Sequence, residues 1–260
     1  MKKSVKIFAG FIAVFLIAIS FVGCEKAYDP YEELQTALEK SLSCESAQID
    51  ANLNGRITVS SFSFDLSTAA QAKFSRKTDP ASFSVDVNTD FLGQSFHHQL
   101  NRIDGVYYAD NNGDRHTFEN NDESITAIIG ALNFPEPVNL QKELFKSLTY
   151  SSSGDKNLIS GTIDGAALTD NIKKQAASLL SGSDASEAGK IIDTLEMNDL
   201  ELSVETDKNG YITNIMLSCN INALLPSSLL GALSGGNDLS VSFNPTLNAS
   251  ISGYNQTVLS

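Results

Sequence analysis

The chain is poor in the residues from which catalytic and metal sites are built: only three histidines and three cysteines among 260 residues, and 18 Lys and Arg against 31 Asp and Glu. His97 and His98 are adjacent, so on a strand they point to opposite faces and cannot share one site. His116 lies near a hairpin turn. With no Cys or carboxylate at metal-ligand spacing around them, the histidines read as structural or solvent-exposed, and no metal or cofactor is expected. No Gly-x-Ser-x-Gly elbow occurs among the abundant serines. Gly154 and Gly235-Gly236 lack the lysine and spacing of a phosphate loop. The expectation is therefore a protein that is not an enzyme. The shortage of basic residues leaves a formal charge of −13, which disfavours nucleic acid as a partner, since phosphate binding needs concentrated Lys and Arg. It also disfavours direct electrostatic attraction to anionic lipid headgroups.

Two oxygen-rich segments are turns, not cation loops. Glu205-Thr-Asp-Lys-Asn-Gly-Tyr-Ile has oxygen side chains at alternate positions, but its twelfth position is Met216, where a calcium loop needs a bidentate Glu. Asp110-Asn-Asn-Gly-Asp has its glycine too early. Both suit strand connections, where Asn, Asp and Gly supply left-handed backbone angles. Asn248-Ala-Ser and Asn255-Gln-Thr have the form of glycosylation acceptors, a pattern frequent by chance. The chain shows no internal repeat and no low-complexity tail.

What is present begins at the N-terminus. Lys2, Lys3 and Lys6 precede a nearly unbroken apolar run, Phe8 to Val22, closed by Gly23-Cys24. This is the layout of an export signal. A spanning helix needs roughly 20 apolar residues, and this run is shorter, interrupted by Gly10 and Ser20, and followed by an acidic, Pro-containing stretch. Phe21-Val22-Gly23-Cys24 resembles the lipobox of bacterial lipoproteins, with Phe21 where an aliphatic is usual. The resemblance implies removal of residues 1–23, lipid attachment to Cys24, a tether over 24–30, and one domain over 31–260. The implied location is the bacterial envelope, anchored to the outer face of the cytoplasmic membrane or another extracytoplasmic membrane surface. Two acyl chains suffice for stable anchoring. The mature chain would keep 15 basic against 31 acidic residues, a formal charge of −16. In an oxidising compartment Cys44 and Cys219 could form a disulfide, although both positions also suit buried thiols.

Periodicity organises the rest. Tyr31, Leu34, Ala37, Leu38 and Leu42 mark an amphipathic helix. Alternation then predicts about six antiparallel strands, through Ile49–Val59, Phe62–Leu66, Phe83–Val87, Ser95–Arg102, Val106–Ala109 and Arg115–Phe118. Asp122 starts an expected helix through Leu132, and Leu140, Leu144, Phe145 and Leu148 predict a second. A strand pair around Leu148–Ile163 precedes a helix at Thr169–Leu180 and another after the Ser181–Ser186 linker. Strands return at Leu200–Thr206, Tyr211–Ile221 and Leu239–Ile251. Between the last two lies an apolar insertion, Leu224 to Leu233.

This order, with Arg102-Ile-Asp-Gly-Val-Tyr-Tyr and Asp207-Lys-Asn-Gly-Tyr-Ile as strand-turn-strand passages, is similar to the LolA/LppX-like bacterial lipoproteins and carriers. The resemblance implies an α+β fold: a strongly curved antiparallel sheet, a half-open barrel, covered on its concave side by helices around an apolar cavity that holds acyl chains. Leu224, Leu225, Leu229, Leu230 and Leu233 are then the candidate mobile wall for a lipid or other apolar ligand. The alternative is an envelope structural or interaction protein with a filled core.

Overall fold

In a computed structural model of the chain, residues 29–77, 81–103, 106–111, 113–118, 141–179, 189–227 and 237–259 are described. Cys24 and the signal segment, the helix expected from Asp122, the Ser181–Ser186 linker, and Leu229, Leu230 and Leu233 lie outside them.

Helix α1 (Pro30–Leu42) starts where its local chemistry dictates. The Asp29 carboxylate caps it by accepting from the Tyr31 N–H at 3.2 Å, Pro30 takes the first position, and Glu32, Glu33 and Lys40 complement the helix dipole. Strands β1 (Ser46–Val59), β2 (Phe62–Ser75), β3 (Ser82–Phe91), β4 (Gln94–Ile103), β5 (Val106–Asn111) and β6 (Asp114–Phe118) follow as an antiparallel meander. A 3-10 turn (Lys142–Leu144) leads into β7 (Phe145–Ser153) and β8 (Lys156–Ile163). Helix α2 (Gly165–Leu179) and a helical turn at 189–193 precede β9 (Glu196–Met197), β10 (Leu200–Asp207), β11 (Ile212–Ser218), β12 (Ile221–Leu225) and β13 (Leu239–Ser252).

All thirteen strands belong to one sheet, in the order β6-β5-β4-β3-β2-β1-β13-β11-β10-β8-β7, with β12 and β9 continuing beside β13. The path ends at β6 and β7 without closing. One end of the strands, the distal end, carries the turns at 60–61 and 92–93 and the start of β13. The proximal end carries the turns at 154–155 and 208–210. Helix α1 runs lengthwise between them. Its first turn packs Tyr31 edge-on against Phe145 at the distal end, while Ser41 Oγ accepts from the Ile212 N–H at the proximal end.

Register lines up one apolar face across the sheet. Ile49, Ala51, Leu53 and Ile57 of β1 face Ala72, Ala70, Thr68 and Phe64 of β2 and Ile251, Ala249, Leu247 and Phe243 of β13. Gly55 permits this last approach, because a Cβ there would strike the Phe243 ring. The opposite face is polar, with Asp50, Asn52, Asn54 and Arg56 on β1 alone. Tyr31, Leu34, Ala37 and Leu38 of α1 and Leu168 and Ile172 of α2 cover the apolar face over β8, β10 and β11, burying Ile159, Ile163, Leu202, Val204, Ile215 and Leu217. Among the described residues the helical cover is confined to this half.

Several expectations change. The helical stripe through Leu140, Leu144, Phe145 and Leu148 is instead a 3-10 turn followed by β7, because Phe145, Leu148 and Tyr150 must face the same side as Ile163, Gly161 and Ile159 of β8. The register slips by one residue between Phe145 and Ser147, which is what gave this strand its helical spacing. The strand predicted over Tyr211–Ile221 breaks at Cys219-Asn220 into β11 and β12. Leu224 and Leu225 close strand β12, paired with Ser240 and Leu239, and so belong to the sheet. Cys44 and Cys219 are free thiols, not a disulfide: Cys44, just past the end of α1, is buried, and Cys219, just past the end of β11, is half-buried against the core.

Candidate functional site

The part of the apolar face beyond the helices is built by β1 to β5. Its rows are set by register: Leu53, Thr68, Thr89 and Phe96; Ala51, Ala70, Val87 and His98; Ile49, Ala72, Val85, Leu100 and Ala109; then Phe74, Phe83, Arg102 and Tyr107 at the proximal end. Leu53, Ile57, Leu66, Ala70, Val85 and Leu100 are half-buried. Thr68, Thr89, Val87 and Tyr107 are buried, and the two threonine hydroxyls satisfy one another at 3.1 Å. That pairing removes the penalty of placing hydroxyls in an apolar row.

Two nitrogen-bearing side chains interrupt the face. His98 lies between Val87 and Asn111, and burial, with the neighbouring His97 adding to it, holds its pKa below the usual histidine value. It is therefore neutral near pH 7. His97 points to the other side and meets Asp86 at 3.0 Å, so the two histidines serve opposite faces. Arg102 lays its guanidinium over the Tyr107 ring at 5.0 Å, and Phe83 packs against the same tyrosine. Its Nε is buried without a hydrogen-bond acceptor, and among the described residues no carboxylate pairs with it. On this face of β1–β5 it is the cation among the described residues.

Leu224, half exposed at the end of β12, borders an open depression of about 490 Å³ lined also by Lys190, Asp193, Thr194, Pro226, Ser227 and Asp238. Thr194 Oγ1 accepts from the Leu224 N–H at 2.9 Å, tying the 189–193 turn to β12. Among the described residues the depression is lined largely by charged and polar side chains. Arg102 and His98 had a signal in the sequence: each sits at an inward position of an alternating strand, where an apolar residue is due.

Elsewhere, polar groups act locally. Asp164 caps α2 by accepting from the N–H groups of Ala166 and Ala167, and Asp199 accepts from Lys146 at 2.5 Å and from the Gly165 N–H. Hydrogen bonding lowers both carboxyl pKa values, chiefly from Ala167 for Asp164 and from Lys146 for Asp199. The 205–212 segment is a strand-turn-strand passage with its turn at 208–210: Asp207 accepts from the N–H groups of Asn209 and Tyr211, and Gly210 adopts a φ of 79°. Among the described residues no group of three or more His, Cys, Asp or Glu is placed to hold a metal, and no helix is long and apolar enough to cross a membrane.

Fold and face together define an open, single-sheet antiparallel domain with one apolar and one polar side. The chain belongs to a family of unknown function, DUF6612, which it matches over residues 31–256. No curated protein matches it. Among solved structures it is similar to LprF from Mycobacterium bovis, at 13% identity and a TM-score of 0.40, covering 91% of this chain and 97% of that one. It is also similar to a DUF1329 family protein from Desulfovibrio piger, at 7% identity and a TM-score of 0.27, covering 88% and 93%.

Proposed function

We propose that this is an extracytoplasmic lipoprotein, anchored through Cys24, whose apolar sheet face binds a lipid or other apolar ligand and which catalyses no reaction. The observation that carries the reading is the continuity of that face. It extends from the helix-covered core under α1 and α2 across β1 to β5, where Leu53, Leu66, Val85 and Leu100 are only half-buried. The row Ala249, Ala51, Ala70 on β13, β1 and β2 is one of small side chains. The export signal and lipobox-like Cys24 support the location. Burial of Thr68, Thr89 and Val87 favours the second reading, an envelope interaction protein whose core is already filled.

The two readings separate in native mass spectrometry of the full chain isolated from its own host's envelope. A one-to-one adduct, extractable into organic solvent and diminished in Ala70→Leu with an unchanged circular dichroism spectrum, is the expected result. A clean protein mass in both forms overturns the ligand-binding reading in favour of the filled core.

A further inference from the structure

We propose that the distal end of the sheet docks on a phospholipid bilayer through the tips of its hairpins, with Phe62 and Leu92 entering the acyl boundary. Isolated exposed apolar residues are ordinary on protein surfaces, so exposure alone decides nothing. Leu92 is not ordinary. The two-residue turn between β3 and β4 has positive φ at both central positions, 53° at Leu92 and 73° at Gly93. That geometry favours Asn, Asp or Gly at the first position, and a bulky side chain is strained there. Leu92 is nonetheless 58% exposed, so packing within the described structure does little to repay the strain.

The neighbouring tip repeats the pattern. Ser60 has a φ of 55°, and Phe62, 68% exposed, follows the turn on the longer β1–β2 hairpin. Phe64 and Phe91 lie edge to face between the two tips, 6.3 Å apart, and Phe96 continues the row at 36% exposure. Nearby charges are already engaged: Arg56 pairs with Asp65 at 2.9 Å, and Asp90 accepts from Ser95. Separate apolar points along one end, without a free cation among these residues, suit a fluid apolar surface better than a charged or closely shaped partner.

The chain's own geometry names that surface. Asp29 caps α1 at the distal end, where Lys142 binds its carboxylate and Tyr31 meets Phe145. Four residues, Glu25 to Tyr28, separate Cys24 from Asp29, and the five chain steps between the two reach at most roughly 18 Å at full extension. This step rests on Cys24 carrying the anchor. A bilayer held within that reach lies beside the end from which Phe62 and Leu92 project, with headgroup charge contributing little to binding.

The chain contains no tryptophan, so a single one reports its own surroundings. The full chain isolated from its host, carrying Phe62→Trp, Leu92→Trp or, as a control at the proximal end, Val258→Trp, would be reconstituted into phosphatidylcholine vesicles containing acyl-brominated phosphatidylcholine. The expected result is blue-shifted emission and at least twofold bromine quenching for the first two variants, with the control unaffected, at both 50 mM and 500 mM salt. Quenching of all three by aqueous iodide and none by bromolipid overturns the proposal. So does protection of the first two from iodide in native envelopes without bromolipid quenching, which would place a protein on this end. The mass of the N-terminal peptide reports the anchor separately: a lipidated Cys24 with unquenched tips defeats docking alone, and quenched tips on an unlipidated chain defeat the anchor alone.

Discussion

Leu92 pits conformation against exposure. Replacing it with Asn suits the positive φ and gives up little packing at a side chain 58% exposed, so Leu92→Asn should stabilise the fold by about 1 kcal/mol, read as a raised urea midpoint with unchanged slope. A leucine serving the fold would give the opposite sign. The two cysteines make a second residue-level test. Burial raises the Cys44 thiol pKa and pushes that of Cys219 up to about 11, so neither should react with a disulfide reagent in the native state at pH 8. On unfolding without reductant, a chain lipidated at Cys24 should release two reactive thiols. None would mean a disulfide after all, and three would mean that Cys24 is unmodified. The positions of Cys44 and Cys219 were readable as apolar from their neighbours, but their pairing was not, because pairing depends on the lateral placement of α1 against β11.

Among the elements, α1 was legible from its local apolar stripe, although its cap Asp29 and first residue Pro30 fell in the stretch read as tether. Leu34 is 1% exposed within the core of α1, β8, β10 and β11. Leu34→Ala should cost about 2–5 kcal/mol in denaturant unfolding; a cost below about 1 kcal/mol would mean that α1 does not seal this half. The β1–β6 meander was equally readable, since alternation survives wherever one face stays apolar. β7 was not, because its one-residue slip mimics helical spacing and only the partner strand reveals it. The break at Cys219-Asn220 was hidden for a related reason: β11 and β12 both pair with β13, and the apolar pattern runs through the kink. The inward-facing Arg102 and His98 could be seen as exceptions to alternation, but their partners Tyr107 and Val87 come from register.

At the scale of the molecule, titration should narrow stability from the acid and the alkaline side. Hydrogen bonds lower the carboxyl pKa values of Asp29, Asp164 and Asp199, so their contribution is present above the unfolded carboxyl value and is lost as pH falls through the folded ones. The lowered His98 value has the same consequence at higher pH: the unfolded chain takes up that proton first, so stability begins to decline as pH drops below about 6.5. Cys219 acts at the alkaline side, where its raised value means stability is lost between about pH 9 and 11. Denaturant midpoints from pH 3 to 11 should therefore show a maximum between about pH 7 and 9; a midpoint independent of pH from 5 to 7 would contradict the burial of His98.

The lengthwise course of α1 bears on how the molecule would carry a mechanical load. A pull on the segment before Asp29 acts along the helix axis, parallel to the surface on which Tyr31, Leu34, Ala37 and Leu38 are seated. Those contacts are then loaded together in shear, and the Asp29–Lys142 pair is the first to feel the force. A chain entering across the strands would peel one contact at a time, so this route makes the attachment of the segment before Asp29 the stiffer one.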